Sequence, residues 1–87
     1  MENPEKRKVI RYFGSEILKN PDLLELNKDV IVLKTIPGTK TKEGETGRLT
    51  EFDKEKKILF LSSYNKEERK WIKRGIEIND DTEIIYL

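Results

Sequence analysis

Ile36-Pro37-Gly38-Thr39-Lys40-Thr41-Lys42-Glu43-Gly44-Glu45-Thr46-Gly47-Arg48-Leu49 is a polar stretch punctuated by three glycines. It stands between two short apolar runs, Val30-Ile31-Val32-Leu33 and Ile58-Leu59-Phe60-Leu61. The first run is β-branched and too short for a helix, and Pro37-Gly38 closes it. Beyond the glycines, residues 48–52 read as a second strand and residues 53–56 as a tight turn. Residues 57–62 form a third strand whose unbroken apolar centre suits burial on both faces. A polar loop framed by such segments predicts a small β-structure.

Toward the N-terminus the period changes. Asn3 suits a helix N-cap and Pro4 the first helical position, where a missing N–H costs nothing. Val9, Ile10, Phe13, Ile17 and Leu18 then recur at helical spacing and predict an N-terminal helix. Gly14 inside it implies close packing or a bend. Pro21 ends this helix, and Asn20-Pro21-Asp22 starts a short second one through Leu26. Toward the C-terminus, Ile76-Glu77-Ile78, a turn at Asn79-Asp80-Asp81-Thr82 and residues 83–87 read as a hairpin.

Residues 65–74 admit two readings. Asn65 with Glu68 has capping-box spacing, and Gly75 sits where a helix-ending glycine belongs. The same residues make a hairpin that turns at 65–68 and returns as a strand, which a small barrel requires. The predicted fold class is α+β: an N-terminal helix and a short second helix (residues 1–28), then a five-stranded β-barrel (residues 29–87), in one compact domain.

Composition narrows the function. The chain has 87 residues, 34% hydrophobic and 40% charged, so its core is small. It holds no Cys and no His, which excludes a disulfide scaffold and ordinary zinc sites. No apolar run approaches the length of a membrane span, and no signal peptide is read, so a cytoplasmic protein is expected. Net charge is +1 but uneven: residues 66–74 carry a net +3 and residues 75–87 a net −4.

The order of strand, glycine loop, strand, tight turn and apolar strand resembles the SH3-like barrels of the KOW type. The matching residues are Val30-Ile31-Val32-Leu33, then Gly38, Gly44 and Gly47, then Leu49 and Phe52. In such motifs a glycine ahead of the second strand turns the backbone with φ > 0, a role that falls to Gly47. The chain is also similar to the Sm-like protein subunit of archaeal ribonuclease P. Gly44-Glu45-Thr46-Gly47-Arg48-Leu49, the apolar run 58–61, the basic stretch 66–74 and the acidic end 76–84 follow that order. That resemblance implies RNA association.

Without His or Cys, a nucleophile and base would have to come from Ser, Thr, Lys or carboxylates alone, and none stands in a catalytic motif. An enzyme is not expected, nor is a cofactor or metal. Asn79-Asp80-Asp81-Thr82 lacks the spaced ligands of a calcium loop and reads as a turn. Lys40, Lys42 and Arg48 can meet phosphates or serve as a solvated loop. The suggestive cluster is Tyr64, Lys66, Arg69, Lys70, Trp71, Lys73 and Arg74. Cations attract phosphate and an exposed aromatic stacks on a base. A lone Trp in a small domain is more often core, and then the cations only solubilise the surface. The expectation is a non-catalytic module that binds nucleic acid, RNA before DNA, through Arg48, Lys66, Arg69, Lys70, Trp71, Lys73 and Arg74. The alternative is a protein-interaction adaptor or inhibitor, of the kind phages and mobile elements carry, using the helix stripe or a sheet edge.

Overall fold

The computed structural model describes residues 9–87. Six strands form one antiparallel sheet: β1 (Arg11–Phe13), β2 (Lys28–Thr35), β3 (Lys42–Asp53), β4 (Ile58–Asn65), β5 (Lys70–Glu77) and β6 (Glu83–Tyr86). A helix, α1 (Gly14–Lys19), and a 3-10 turn at Pro21–Leu23 lie between β1 and β2. The spatial order is β1-β6-β2-β3-β4-β5. The result is a small, barrel-like, all-antiparallel sheet with β1 and β5 at its two edges.

Alternation along the strands builds the core. Val30 and Val32 of β2, Leu49 of β3, Leu59 and Leu61 of β4, Ile76 of β5 and Ile84 of β6 point to one face, where Ile17 of α1 and Ile78 join them. Each such side chain contributes about 1.5–3 kcal/mol by leaving water. The central hairpin is long. Lys28 to Thr35 pairs continuously with Leu49 to Lys42, and a loop over residues 36–41 closes it, with Gly38 at φ 79°. A bulge in β3 between Leu49 and Glu51 shifts the register against β4.

The predicted α+β layout is overturned: the described residues are mostly strand, with one short α-helix and six strands in place of a helical segment and five strands. The helical spacing of Val9, Ile10 and Phe13 does not become a helix. Arg11 to Phe13 pairs with Ile85 to Glu83, because β6 offers an open ladder and Tyr12 packs inward when the backbone extends. The helix start expected at Asn3-Pro4 lies outside the described residues. The second helix shrinks to a 3-10 turn, since Leu24 is already extended. The C-terminal hairpin is also corrected. Ile76-Glu77 belongs to β5 beside β4, whereas β6 inserts between β1 and β2, so residues 78–82 cross from one part of the sheet to another. Gly47 lies within β3 opposite Val30, without positive φ, and its close neighbour is β4: a β-carbon there would stand 3.0 Å from Leu61 Cβ. Among the described residues, no helix is long and apolar enough to cross a membrane.

Candidate functional site

The suggestive cluster resolves into a β-hairpin. Asn65 Oδ1 accepts hydrogen bonds from the N–H groups of Glu67 (2.9 Å) and Glu68 (3.1 Å). This Asx turn, with Arg69 at φ 54°, reverses the chain over residues 66–69 and sends it back as β5. The strand reading of residues 69–74 is therefore the observed one from Lys70 onward, with Arg69 still in the turn, and the Asn65–Glu68 spacing that resembles a capping box serves a turn.

Register sorts the side chains. Tyr64 lies opposite Trp71, Ser62 opposite Lys73 and Phe60 opposite Gly75, all on the face turned away from the core. Ile72 and Arg74 alternate to the other face. Trp71 is exposed, at 60% of its surface, and Tyr64 at 50%. Their ring centroids are 5.8 Å apart at an interplanar angle of 58°. The Arg48 guanidinium, from β3, stands 5.9 Å from the Trp71 ring centre. Lys73 Nζ stands 4.9 Å from the Phe60 ring. The outer face of the β3–β4–β5 sheet thus carries an aromatic platform edged by two cations.

Those cations are not free. Arg48 Nε is 3.6 Å from Asp29, and Lys73 Nζ is 3.1 Å from Glu51. On the opposite face Arg74 pairs with Glu45 at 3.0 Å, and Lys70 approaches Glu68 at 3.8 Å. Lys66 and Arg69 sit in the turn, with no carboxylate at ion-pair distance among the described residues. The seven residues therefore form three groups: Arg48, Trp71 and Lys73 on the outer face, Lys66 and Arg69 in the turn, Lys70 and Arg74 on the inner side. A shallow concavity of about 480 Å³ opens beside the turn, lined among others by Tyr64, Lys66, Ile72 and Arg74.

Lys42, read from sequence as a phosphate or solvent contact, turns to Glu83. That carboxylate is buried, bonded to Lys42 and 3.4 Å from Arg11. Both cations also flank the Phe13 ring, at 5.9 Å for Arg11 and 5.8 Å for Lys42. Asn79-Asp80-Asp81-Thr82 is a self-bonded turn: Asn79 Oδ1 accepts from Asp81 N–H and from the Thr82 hydroxyl. The pairings of the site's cations with Asp29, Glu45 and Glu51 escaped sequence reading. Those carboxylates lie far off in the chain, and only the cross-strand register brings them near.

No protein-family model, curated protein or solved structure matches this chain.

Proposed function

We propose that this domain is a non-catalytic binding module and that its partner is a protein, docked on the outer face around Trp71. The observation that carries this reading is an exposed Trp71–Tyr64 pair topped by Arg48 whose surrounding charges balance. Trp, Tyr and Arg are the side chains that concentrate binding energy at protein interfaces. A phosphate backbone requires surplus positive charge. Here Arg48 and Lys73 face Asp29 and Glu51, so the platform offers little net field.

The strand order β6-β2-β3-β4-β5 supports the resemblance to SH3-like barrels of the KOW type, with β1 added at one edge. One specific observation keeps RNA as a second reading. Trp71 and Tyr64 are side by side as a stacking surface, with Lys66 and Arg69 at the adjoining turn.

One experiment separates the two. Single-stranded RNA and DNA are titrated at low salt against the Trp71 fluorescence of the full chain. Protein docking predicts no saturable quenching by either nucleic acid. It also predicts that Trp71→Ala releases a co-purifying protein partner whereas the double variant Lys66→Ala/Arg69→Ala retains it. Saturable, salt-weakened quenching by RNA that the double variant loses would overturn the protein reading in favour of RNA.

A further inference from the structure

The free edge of β5 has a definite chemistry. Ile78 N–H donates to the Lys57 carbonyl at 2.8 Å, which marks that pair as hydrogen-bonded. In an antiparallel ladder bonded and non-bonded pairs alternate. Ile76, Arg74, Ile72 and Lys70 therefore direct their backbone groups to β4. Trp71, Lys73, Gly75 and Glu77 direct theirs outward, and these are the residues whose side chains share the platform face. Among the described residues, no backbone–backbone bond satisfies that outward row.

Most exposed edges are kept short, bulged or interrupted by proline. The opposite edge obeys, since β1 has three residues. β5 has eight, with no proline and no register break against β4. Its cations are the one blunting device it carries. Lys70, Lys73 and Arg74 outnumber Glu77. Their own carboxylate partners are exposed, at 54%, 56% and 39% of the side chain for Glu68, Glu51 and Glu45. Such surface pairs are worth about 0–1 kcal/mol, so an incoming carboxylate can replace them at little cost.

We infer that β5 accepts an extended acidic segment of another protein as a seventh strand, laid antiparallel or parallel along Trp71, Lys73, Gly75 and Glu77. This inference rests on the protein-docking reading and specifies its geometry. Backbone hydrogen bonds supply affinity, and carboxylates at alternate positions line one face of the added strand, where they meet either Lys73 or the pair Lys70 and Arg74. A second copy of this chain is disfavoured by charge in the two registers of greatest overlap, and only a shorter one about Gly75 sets Lys73 against Glu77. An antiparallel pairing of β5 with itself centred on Lys73 or Arg74 sets like charges directly opposite each other.

The test uses the full chain, a synthetic peptide of alternating valine and glutamate, and its lysine counterpart. Amide spectra and hydrogen exchange should show the acidic peptide perturbing and protecting the N–H groups of Trp71, Lys73, Gly75 and Glu77, with no response to the basic peptide. Lys73→Pro removes one outward N–H and leaves the ladder to β4 intact, while Lys73→Ala removes the charged side chain and keeps that N–H. Lys73→Pro should bind roughly tenfold more weakly than Lys73→Ala. Equal affinity of the two variants, absence of outward amide protection in the unmodified chain, or equal response to the basic peptide overturns strand addition. If Trp71→Ala still releases the co-purifying partner in that event, platform docking stands without the added strand. A dimer of the chain alone that Lys73→Pro dissociates would assign the edge to a second copy instead.

Discussion

Gly14 and the Asn79 carbonyl are packed so closely that a β-carbon on residue 14 would stand 1.8 Å from that oxygen. The contact joins the first residue of α1 to the turn that leads into β6, and Gly14 N–H donates to Thr82 O at 2.6 Å beside it. No side chain can yield here, because the obstacle is backbone. Gly14→Ala should therefore push α1 off the turn and destabilise the domain by about 3 kcal/mol or more, despite the better helix propensity of alanine. Equilibrium urea unfolding checks it: an unchanged midpoint would show that α1 and the turn can separate freely.

Glu83 is buried between Arg11 of the neighbouring strand β1 and Lys42 of β3, which reaches it across β2. Glu83→Gln keeps the shape and removes the charge that both cations face. Lys42 is itself partly buried, so its ammonium loses a partner that water only partly replaces. A loss of about 1–3 kcal/mol is expected, relieved when Lys42→Met is added. Thermal unfolding of the two single variants and the double variant measures this coupling, and additive effects would contradict it.

Trp71 is predicted to fluoresce as a solvent-exposed indole, with long-wavelength emission readily quenched by acrylamide. Its packing against Tyr64 is peripheral, so Trp71→Ala should cost about 0.5–1.5 kcal/mol of stability, far less than removal of a core side chain. Blue-shifted, quencher-resistant emission would place the ring in an interior.

How far the sequence reaches is seen by comparing two of its segments. The central run Val30-Ile31-Val32-Leu33, the loop glycine Gly38 and the apolar stretch at Ile58 are strands and loop as read, because period and turn chemistry are local properties. Residues 9–13 carry an equally clear helical spacing, yet they extend. The deciding partner is β6, seventy residues away, and no local pattern registers an open ladder. The site divides in the same way. Alternation along 70–74 correctly offers Trp71 outward when Ile72 turns in, while the commoner expectation of a core Trp is overturned by its exposure. The neutralising carboxylates Asp29, Glu45 and Glu51 depend on register and on the β3 bulge, so their proximity to the cations has no signature in the chain.

Thr82 is fully buried in the turn before β6. Its Oγ1 accepts the Asn79 N–H at 3.0 Å and donates to Asn79 Oδ1 at 3.2 Å. Thr82→Val preserves volume and leaves that N–H without a partner. The expected loss is about 1–3 kcal/mol, whereas Thr82→Ser, which keeps the hydroxyl, should recover most of it. A larger loss from Thr82→Ser than from Thr82→Val, read by urea unfolding, would assign the role of Thr82 to its methyl group.

Tyr86 links the strand sheet to the segment after the 3-10 turn. Its hydroxyl accepts the Glu25 N–H at 2.7 Å, and its ring meets Tyr12 edge-on at a centroid distance of 6.2 Å. Burial raises its pKa above the ordinary 10.0; the hydrogen bond from Glu25 opposes that rise, and the charges of Glu25 and Tyr12 add to it. A phenol that holds its proton more tightly when folded binds more protons in the native state than in the unfolded one. Its stabilising contribution is therefore complete below the unfolded pKa and is lost as pH rises through the folded one. Phenolate absorbance should show a tyrosine that titrates late in the folded chain, and this late step should vanish in Tyr86→Phe. Stability should fall as pH climbs above about 10, and less steeply in Tyr86→Phe than in the unmodified chain. Identical slopes in the two proteins would mean that folding does not shift this phenol.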